Sequence, residues 1–347
     1  MKELFKLQND KEKTRIEIFD FFRGSAVMLV LLHHVGIPYG RYILAFHMPL
    51  FFILSGYLYK KRNTIESRGF ADFIKQKARR ILVPYFGFEL IIMCLSMICV
   101  RNNFNLLQNV KSILLCINLN TSAGIVLRLW FLPCIFVSEI YFYIVNKGLK
   151  NSKVRYLVPL FFFAASKVFN IITDARLPFT LDVSLMGTGF ICCGYYFYDV
   201  VERIGRKMNK IQNVICNAVL MIVYILSTYF NGNLLMYIDE YGSYFLAITS
   251  SLSGSLLFII ILKRLYNICK KGIIYNYILF LGKQSLIFFP MHLVIMYFVE
   301  KILKIVGINQ WSIKALAVGL ICIPVINFIV MYFPILSGNC KRNEKSK

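Results

Sequence analysis

The four histidines are the side chains best suited to chemistry in this sequence. A neutral imidazole is a general base toward a hydroxyl group, or a nucleophile that can carry an acyl group. His33 and His34 end the apolar stretch "FDFFRGSAVMLVLLHH", which also contains Asp20 and Arg23. Ionisable groups are costly at membrane depth, and they usually face a protein interior or a cavity where they carry function. We therefore expect this stretch to contribute to a reaction site.

Helical spacing predicts that Asp20, Arg23 and His34 lie on one face of the first helix. A helix turns by about 100° per residue, so Arg23 and His34 share one stripe about three turns apart, and Asp20 lies one turn below Arg23. Asp20 and Arg23 are spaced to pair at i, i+3. His33 points about 100° away from His34 and has no polar companion on its own face, so we rank it below His34.

The second apolar stretch, "AFHMPLFFILSGYLY", supplies another histidine near its start. Since His34 lies near the end of the first stretch, a short connection between antiparallel helices puts His34 and His47 at similar depth. Two imidazoles at matched depth beside an arginine stripe favour chemistry over packing. We predict that His34, Arg23 and His47 are the catalytic side chains.

The composition places these residues in a membrane. Of the 347 residues, 58% are hydrophobic and 16% are charged, and the mean hydropathy is +0.63, which departs from the composition of soluble domains. Apolar runs long enough to cross the hydrocarbon core occur at residues 19–36, 42–59, 81–100, 124–146, 156–172, 181–198, 211–229, 243–262, 284–303 and 315–336. The sequence predicts an all-α polytopic membrane protein with about ten transmembrane helices.

Basic residues predict the orientation. Lys and Arg number 40 against 17 Asp and Glu, for a formal net charge of +23, which in a soluble chain would suggest a polyanion such as nucleic acid. With the N-terminus inside, the cytoplasmic segments hold 29 of the 40 basic residues, in agreement with the positive-inside rule. We therefore expect no nucleic acid partner, and both termini in the cytoplasm.

One membrane domain accounts for most of the chain. We divide the sequence into a cytoplasmic N-terminal segment 1–18, a transmembrane domain 19–336 and a cytoplasmic basic tail 337–347. Residues 101–123 contain the run "ILLCINL", which is too short to cross and fits an interfacial or re-entrant segment. The histidines lack i, i+4 spacing and most cysteines sit in apolar runs, so we expect buried thiols and no metal site.

Five motifs, in order, resemble the integral-membrane acyltransferase 3 family, whose members O-acylate cell-surface sugars and related acceptors. The opening motif matches at Asp20, Arg23 and His34. The later ones are "FHMPLFFILSGYLYK" with "FIKQKARRILVPYF", then "LWFLPCIF", "LDVSLMGTGFICCGYYFYD" and "LGKQSLIFFPMH", which ends at His292. The resemblance covers about residues 16–300 and is nearest to the branch of fucose 4-O-acetylases and similar sugar acetyltransferases.

The resemblance implies acyl transfer from a cytoplasmic acyl-CoA, most simply acetyl-CoA, to a hydroxyl of a cell-surface sugar or polysaccharide precursor in a bacterial plasma membrane. His34 would be the base, with transient acyl-His34 as an alternative, Arg23 an electrostatic partner, and His47 a group that orients His34 or the acceptor. Further substrate-binding candidates are Asp20, Arg128, Trp130, Asp182 and His292. Lys and Arg residues of segment 60–80 are candidates for the CoA phosphates, although the positive-inside rule also explains them.

Other functions stay open at this point. A transporter or flippase for a lipid-linked sugar or polysaccharide also has many spans with buried charge, but it would more naturally show repeat symmetry and helices broken at matching positions. A structural member of a polysaccharide export complex would not need the stripe of Arg23 and His34. Within the family, an O-succinyltransferase would differ from an O-acetyltransferase by only a few contacts to the donor.

Overall fold

The computed structural model of the protein describes residues 2–62, 69–99, 104–117, 129–149, 152–173, 175–269 and 272–338, with side chains from residue 17 onward. In these segments the chain is helical, and its extended backbone pairs only in one isolated bridge, between Leu235 and Glu240. The α-helices of these segments are α1 (Lys2–His34), α2 (Gly40–Leu44), α3 (His47–Arg62), α4 (Phe70–Lys77), α5 (Val83–Cys99), α6 (Leu106–Leu115), α7 (Phe131–Gly148), α8 (Val158–Ile172), α9 (Leu181–Tyr196), α10 (Tyr198–Lys207), α11 (Lys210–Asn231), α12 (Tyr244–Ile268), α13 (Ile273–Lys283), α14 (Ser285–Ile305) and α15 (Trp311–Tyr332).

Seven helical segments within the described residues are long and apolar enough to cross a membrane. They are Gly40–Arg62, Phe70–Cys99, Lys153–Ile172, Lys210–Asn231, Tyr244–Ile268, Ser285–Ile305 and Trp311–Tyr332. The other three predicted spans also coincide with helices, in α1, α7 and α9. The apolar half of α1 contains Asp20 and Arg23, and α9 has only 16 residues. The chain is a multi-pass helical protein, and the total of about ten spans and the cytoplasmic termini stay predictions.

The structure describes parts of the segments that were predicted not to cross the membrane. α1 runs without a break from Lys2 to His34, so residues 2–18 of the predicted N-terminal segment continue directly into the first predicted span. Within the predicted re-entrant segment, α6 is a short apolar helix of 10 residues. Most of the predicted tail 337–347 lies outside the described residues.

Glycines let two pairs of helices pack with their backbones in close contact. A Cβ atom on Gly56 of α3 would collide with the Ile191 carbonyl oxygen of α9, and one on Gly194 of α9 would collide with the Ile53 carbonyl oxygen. On α1, a Cβ atom on Gly24 would collide with the backbone of α13. Small residues are favoured at helix contacts in membranes because they allow this approach, and here they fix α1 and α3 in the centre of the bundle.

The two ends of the bundle differ in the groups they hold. At one end α1 finishes with His34 and α3 begins with His47, and the hydroxyl of Ser251 on α12 donates a hydrogen bond of 2.8 Å to the Ala45 carbonyl. We call this the histidine end. We call the opposite end, where α3 finishes and α4 begins, the basic end.

Candidate functional site

All four histidines of the chain form one cluster at the histidine end. The His34 ring of α1 lies edge-on to the His292 ring of α14, with 5.2 Å between ring centroids. The His33 ring lies 5.4 Å from the His47 ring and 5.6 Å from the His34 ring. Sequence reasoning placed His34 opposite His47 and ranked His33 and His292 low. In the structure His33 is the histidine in contact with His47, and His292 contacts His34.

Three of these imidazoles have their protonation pattern set by their own helix. In each of them, Nδ1 lies 2.8–3.0 Å from the carbonyl oxygen four residues earlier: His34 on Val30, His47 on Ile43 and His292 on Phe288. A carbonyl oxygen can only accept, so Nδ1 carries the hydrogen and Nε2 of the neutral ring carries the lone pair. The cluster therefore offers Nε2 atoms suited to accept a proton.

His292 is a costly residue to bury in this way. Its side chain is fully buried, and within the described residues its Nε2 accepts no hydrogen bond. A buried polar atom without a partner costs roughly 1–3 kcal/mol, and such atoms in native proteins call for a specific explanation. Because the His292 ring contacts the His34 ring, this unsatisfied group lies beside the predicted base.

A cavity of about 280 Å³ toward the basic end is lined by five cationic side chains. They are Arg23 of α1, Arg62 of α3, Lys77 of α4, Arg80 and Lys283. Arg80 belongs to a π-helical turn, Ala78–Leu82, that joins α4 to α5, and such turns are frequent at functional sites. We call this the basic cavity. Its charge suits an anionic ligand, and phosphate groups above all.

Two ion pairs organise the charges of the basic cavity. Lys77 Nζ lies 2.7 Å from Glu139 Oε2 of α7, with both side chains largely buried. Arg23 lies 3.5 Å from Asp20, the pairing that the i, i+3 spacing predicts. Since carboxylates offset only part of the positive charge, the cavity keeps an excess of cations.

Aromatic side chains connect the basic cavity to the histidine cluster. Phe51, Phe131 and Phe289 line the cavity on its apolar side. The Phe131 ring lies 5.3 Å from Phe51 and 5.2 Å from Phe289, and Phe289 lies 6.0 Å from the His292 ring. Along α1, the eleven residues from Arg23 to His34 correspond to about 16 Å. The basic cavity and the histidine cluster are thus connected by a row of aromatic side chains. We call Phe51, Phe131 and Phe289 the apolar wall.

A family model described as an acyltransferase domain, that of the acyltransferase 3 family, matches residues 16–335. The chain belongs to this family. No curated protein and no solved structure matches it. Membership of the family and the apolar helices together describe a multi-pass membrane acyltransferase. The match includes all three helices of the histidine cluster and the cations of the basic cavity.

Three further predicted site residues of the acyltransferase are Asp182, Trp130 and Arg128. Asp182, at the start of α9, is buried and lies 3.2 Å from Arg176, so its carboxylate is engaged by a cation and is not simply exposed. Trp130 precedes α7 and is partly buried, with its ring 6.0 Å from Phe131. Arg128 lies outside the described residues.

Within the described residues of the acyltransferase, no group of three His, Cys, Asp or Glu side chains is arranged to hold a metal ion. The nine cysteines described there are all free thiols.

Proposed function

We propose that this protein transfers an acyl group, acetyl in the simplest case, from acyl-CoA to a hydroxyl of a cell-surface sugar or polysaccharide precursor. The observation that carries the proposal is the histidine cluster, whose Nε2 atoms are free to accept a proton. The apolar wall lies between this cluster and the basic cavity. The family supplies the reaction class, acyl transfer. The donor, the acceptor and the roles below belong to the proposal.

His34 is the proposed general base. Its Nδ1 hydrogen is held by the Val30 carbonyl, 2.8 Å away, so Nε2 can take the proton of the acceptor hydroxyl. The freed oxygen then attacks the thioester carbonyl, the carbon–sulfur bond breaks, and the CoA thiolate leaves and takes up the proton. General-base catalysis of this kind contributes about 10²–10⁴-fold in rate. His292, whose ring contacts that of His34, orients the acceptor and the His34 ring, and His47 supports them through its contact with His33.

The basic cavity is the proposed site for the phosphates of acyl-CoA. Five cations from separate segments line it, and charge-assisted hydrogen bonds to phosphate oxygens are among the strongest in proteins. Arg23 belongs to this wall and lies about 16 Å along α1 from His34. At that distance from His34, Arg23 is better suited to hold the donor phosphates than to act at the reacting carbonyl.

The same arrangement suits transfer across a bacterial plasma membrane. We propose that the basic end faces the cytoplasm, where acyl-CoA is made, and that the histidine end faces outward, where the acceptor is presented. The apolar wall of Phe51, Phe131 and Phe289 lies where the acyl group would pass between them. In this proposal the phosphates of the water-soluble donor stay in the basic cavity, while its acyl group extends past these aromatic side chains to His34.

Mass spectrometry of surface glycans from cells that carry the intact chain, a deletion or His34→Ala, at matched expression, tests the proposal. We expect both changes to remove an ester-linked acyl group while glycan is still exported, and the mass of the lost group separates acetyl from succinyl transfer. Glycan that fails to reach the surface in the deletion, with His34→Ala behaving as the intact protein, would instead identify a transporter or flippase. The proposed reaction would then be wrong.

A further inference from the structure

A groove of about 250 Å³ lies between α3, α9 and α12 and reaches the start of α10. Its lining is almost wholly apolar and includes Ile53 of α3, Cys193 of α9, and Leu256 and Ile260 of α12. Among the described residues that line it, Lys263 is the charged one. The groove shares no lining residue with the basic cavity. We call it the α12 groove.

The α12 groove has the length of one leaflet of a bilayer. Along α12 its lining extends from Leu252 to Lys263, and eleven residues of helix correspond to about 16 Å. The hydrocarbon core of a membrane is about 30 Å thick, so one leaflet accounts for about 15 Å. Both α3 and α12 belong to segments long and apolar enough to cross a membrane. The groove therefore occupies the leaflet on the side of the basic end.

The rim of the α12 groove is accessible from the membrane. Leu256 and Ile260 are partly exposed, and Phe197, which also lines the groove, is exposed. The next residue along α12, Ile261, is exposed as well. An apolar groove that opens on hydrocarbon can receive a lipid chain, because the chain exchanges one apolar environment for another and gains contacts with the walls.

A cluster of tyrosines and lysines closes the groove at the basic end. Lys263 forms a salt bridge with Glu202 of α10, and its ammonium lies 5.5 Å from the centroid of the Tyr57 ring. The Tyr57 hydroxyl donates a hydrogen bond of 2.5 Å to Glu202. The Tyr57 ring lies 4.3 Å from that of Tyr198, and the Lys61 ammonium lies 4.9 Å from the Tyr198 ring. Both tyrosines line the groove, so two ammonium groups are held at its end.

Cations outnumber carboxylates around this end of the groove. Arg203 and Arg264, which follow Glu202 and Lys263 in the chain, are both exposed. Asp199 of α10 is paired with Lys60, 2.9 Å away, so its charge is already offset. A cluster of Lys and Arg at the membrane surface attracts anionic lipid head groups, and their phosphate oxygens accept strong charge-assisted hydrogen bonds.

We infer that the α12 groove binds one anionic phospholipid, with an acyl chain along α12 and the phosphate beside Lys61 and Lys263. The bound lipid would contact α3, α9, α10 and α12 at once. Because α3 begins at His47 and ends at Arg62, the lipid would brace the helix that connects the histidine cluster to the basic cavity. The inference does not rest on the proposed reaction, since none of the four histidines lines the groove.

A lipid fits the α12 groove better than a helix of a second copy of the chain. The groove has the length of one leaflet, whereas a membrane-spanning helix of a partner would extend through both. In a symmetric dimer the same patch of each copy meets, so the cations around Lys61 and Lys263 would face one another. A lipid phosphate instead brings the opposite charge to them.

Native mass spectrometry of the full chain tests the inference directly. The protein in detergent is titrated with phosphatidylglycerol and phosphatidylcholine that carry the same acyl chains. We expect one phosphatidylglycerol to be retained per chain, with a preference over phosphatidylcholine of at least about fivefold. Failure to retain either lipid, or equal retention of the two, would overturn the inference.

A matched pair of variants on α12 locates the acyl chain. Leu256→Trp fills the groove, whereas Ile261→Trp adds the same ring at an exposed position outside the lining. We expect Leu256→Trp to abolish retention of phosphatidylglycerol and Ile261→Trp to leave it unchanged, with thermal unfolding as the check that both variants fold. Equal retention by the two would overturn the inference. So would a dimer that forms in the intact protein and is lost in Leu256→Trp, because the groove would then belong to a second copy.

A second pair of variants tests the phosphate end and leaves the groove open. Lys61→Gln removes an exposed cation that does not line the basic cavity. Lys147→Gln is the control, since Lys147 is likewise exposed and lies 5.3 Å from a tyrosine ring, that of Tyr143 on α7. We expect Lys61→Gln to lower the preference for phosphatidylglycerol about fivefold and Lys147→Gln to leave it unchanged. Equal preferences in the two variants would contradict the placement of the phosphate.

Discussion

The histidine cluster and the basic cavity are built in different ways. In the cluster, three of the four imidazoles are fixed by a carbonyl one turn earlier in their own helix, as His34 is by Val30. In the basic cavity, the cations come from five segments. Lys77 is paired across helices with Glu139, and Arg23 is paired within α1 with Asp20. The orientation of the proposed base is therefore set within its own helix, whereas the proposed donor site depends on how helices far apart in sequence pack together.

The two regions should therefore respond differently to mutation. A change in the cluster should alter chemistry with little effect on folding, since the hydrogen bonds that fix His34, His47 and His292 each lie within one helix and do not depend on the other rings. A change beneath the basic cavity should alter stability, since an uncompensated charge would be left buried.

The largest effect is expected from the proposed base. His34→Gln should lower kcat for acyl transfer by about 10²–10⁴-fold, while the melting temperature stays close to that of the intact protein. His33→Gln is the matched variant, because His33 adjoins His34 but lacks the hydrogen bond to the carbonyl four residues earlier that fixes His34, and its loss should be much smaller. Steady-state kinetics on purified protein check both. A greater loss for His33→Gln would give the role of base to the other ring.

Removing the cation of the buried ion pair should be costly for the fold. Lys77→Met leaves the Glu139 carboxylate, 5% exposed, without its cation, and breaking such a pair destabilises proteins by about 3–5 kcal/mol. The double change Lys77→Met with Glu139→Leu should recover much of this loss, because two apolar groups then replace the pair. Thermal unfolding in detergent measures both. A single variant as stable as the intact protein would contradict the view that this region is held by paired charge.

Close packing between α1 and α13 should show in a glycine series. Gly24→Ala forces a methyl group into the backbone of α13 and should destabilise the protein by about 1–3 kcal/mol. Gly205→Ala is the control, since nothing lies near its added Cβ atom in α10, and it should be neutral or stabilising by up to about 1 kcal/mol. Chemical denaturation compares the two. Equal stabilities would show that α1 and α13 do not need this contact.

The smallest effect concerns the proposed donor phosphates. Arg80→Gln removes one of the cations of the basic cavity and should raise KM for acyl-CoA about 5–10-fold with little change in kcat, because a charge-assisted hydrogen bond of about 1–1.5 kcal/mol is lost. Arg79→Gln removes an adjacent cation that lies outside the cavity lining, and its KM should stay near that of the intact protein. Equal KM values for the two variants would show that the basic cavity is not the donor site.

Features that depend on short stretches of chain could be predicted from the sequence. The helices follow from runs of apolar residues, and the pairing of Asp20 with Arg23 follows from their spacing along one helix. The shared stripe of Arg23 and His34 has the same origin. The family match over residues 16–335 agrees with the motifs quoted above, which lie within single segments.

Only the tertiary structure decided which helices meet. His34 contacts His292, which is 258 residues later in the chain, and His33 contacts His47, because the rotation of each helix is set by packing against all of its neighbours. Asp182 is engaged by Arg176, and Asp239 joins them from a loop further along the chain. The direction of a side chain on its own helix is a local property, whereas the groups that it faces depend on every helix packed around it.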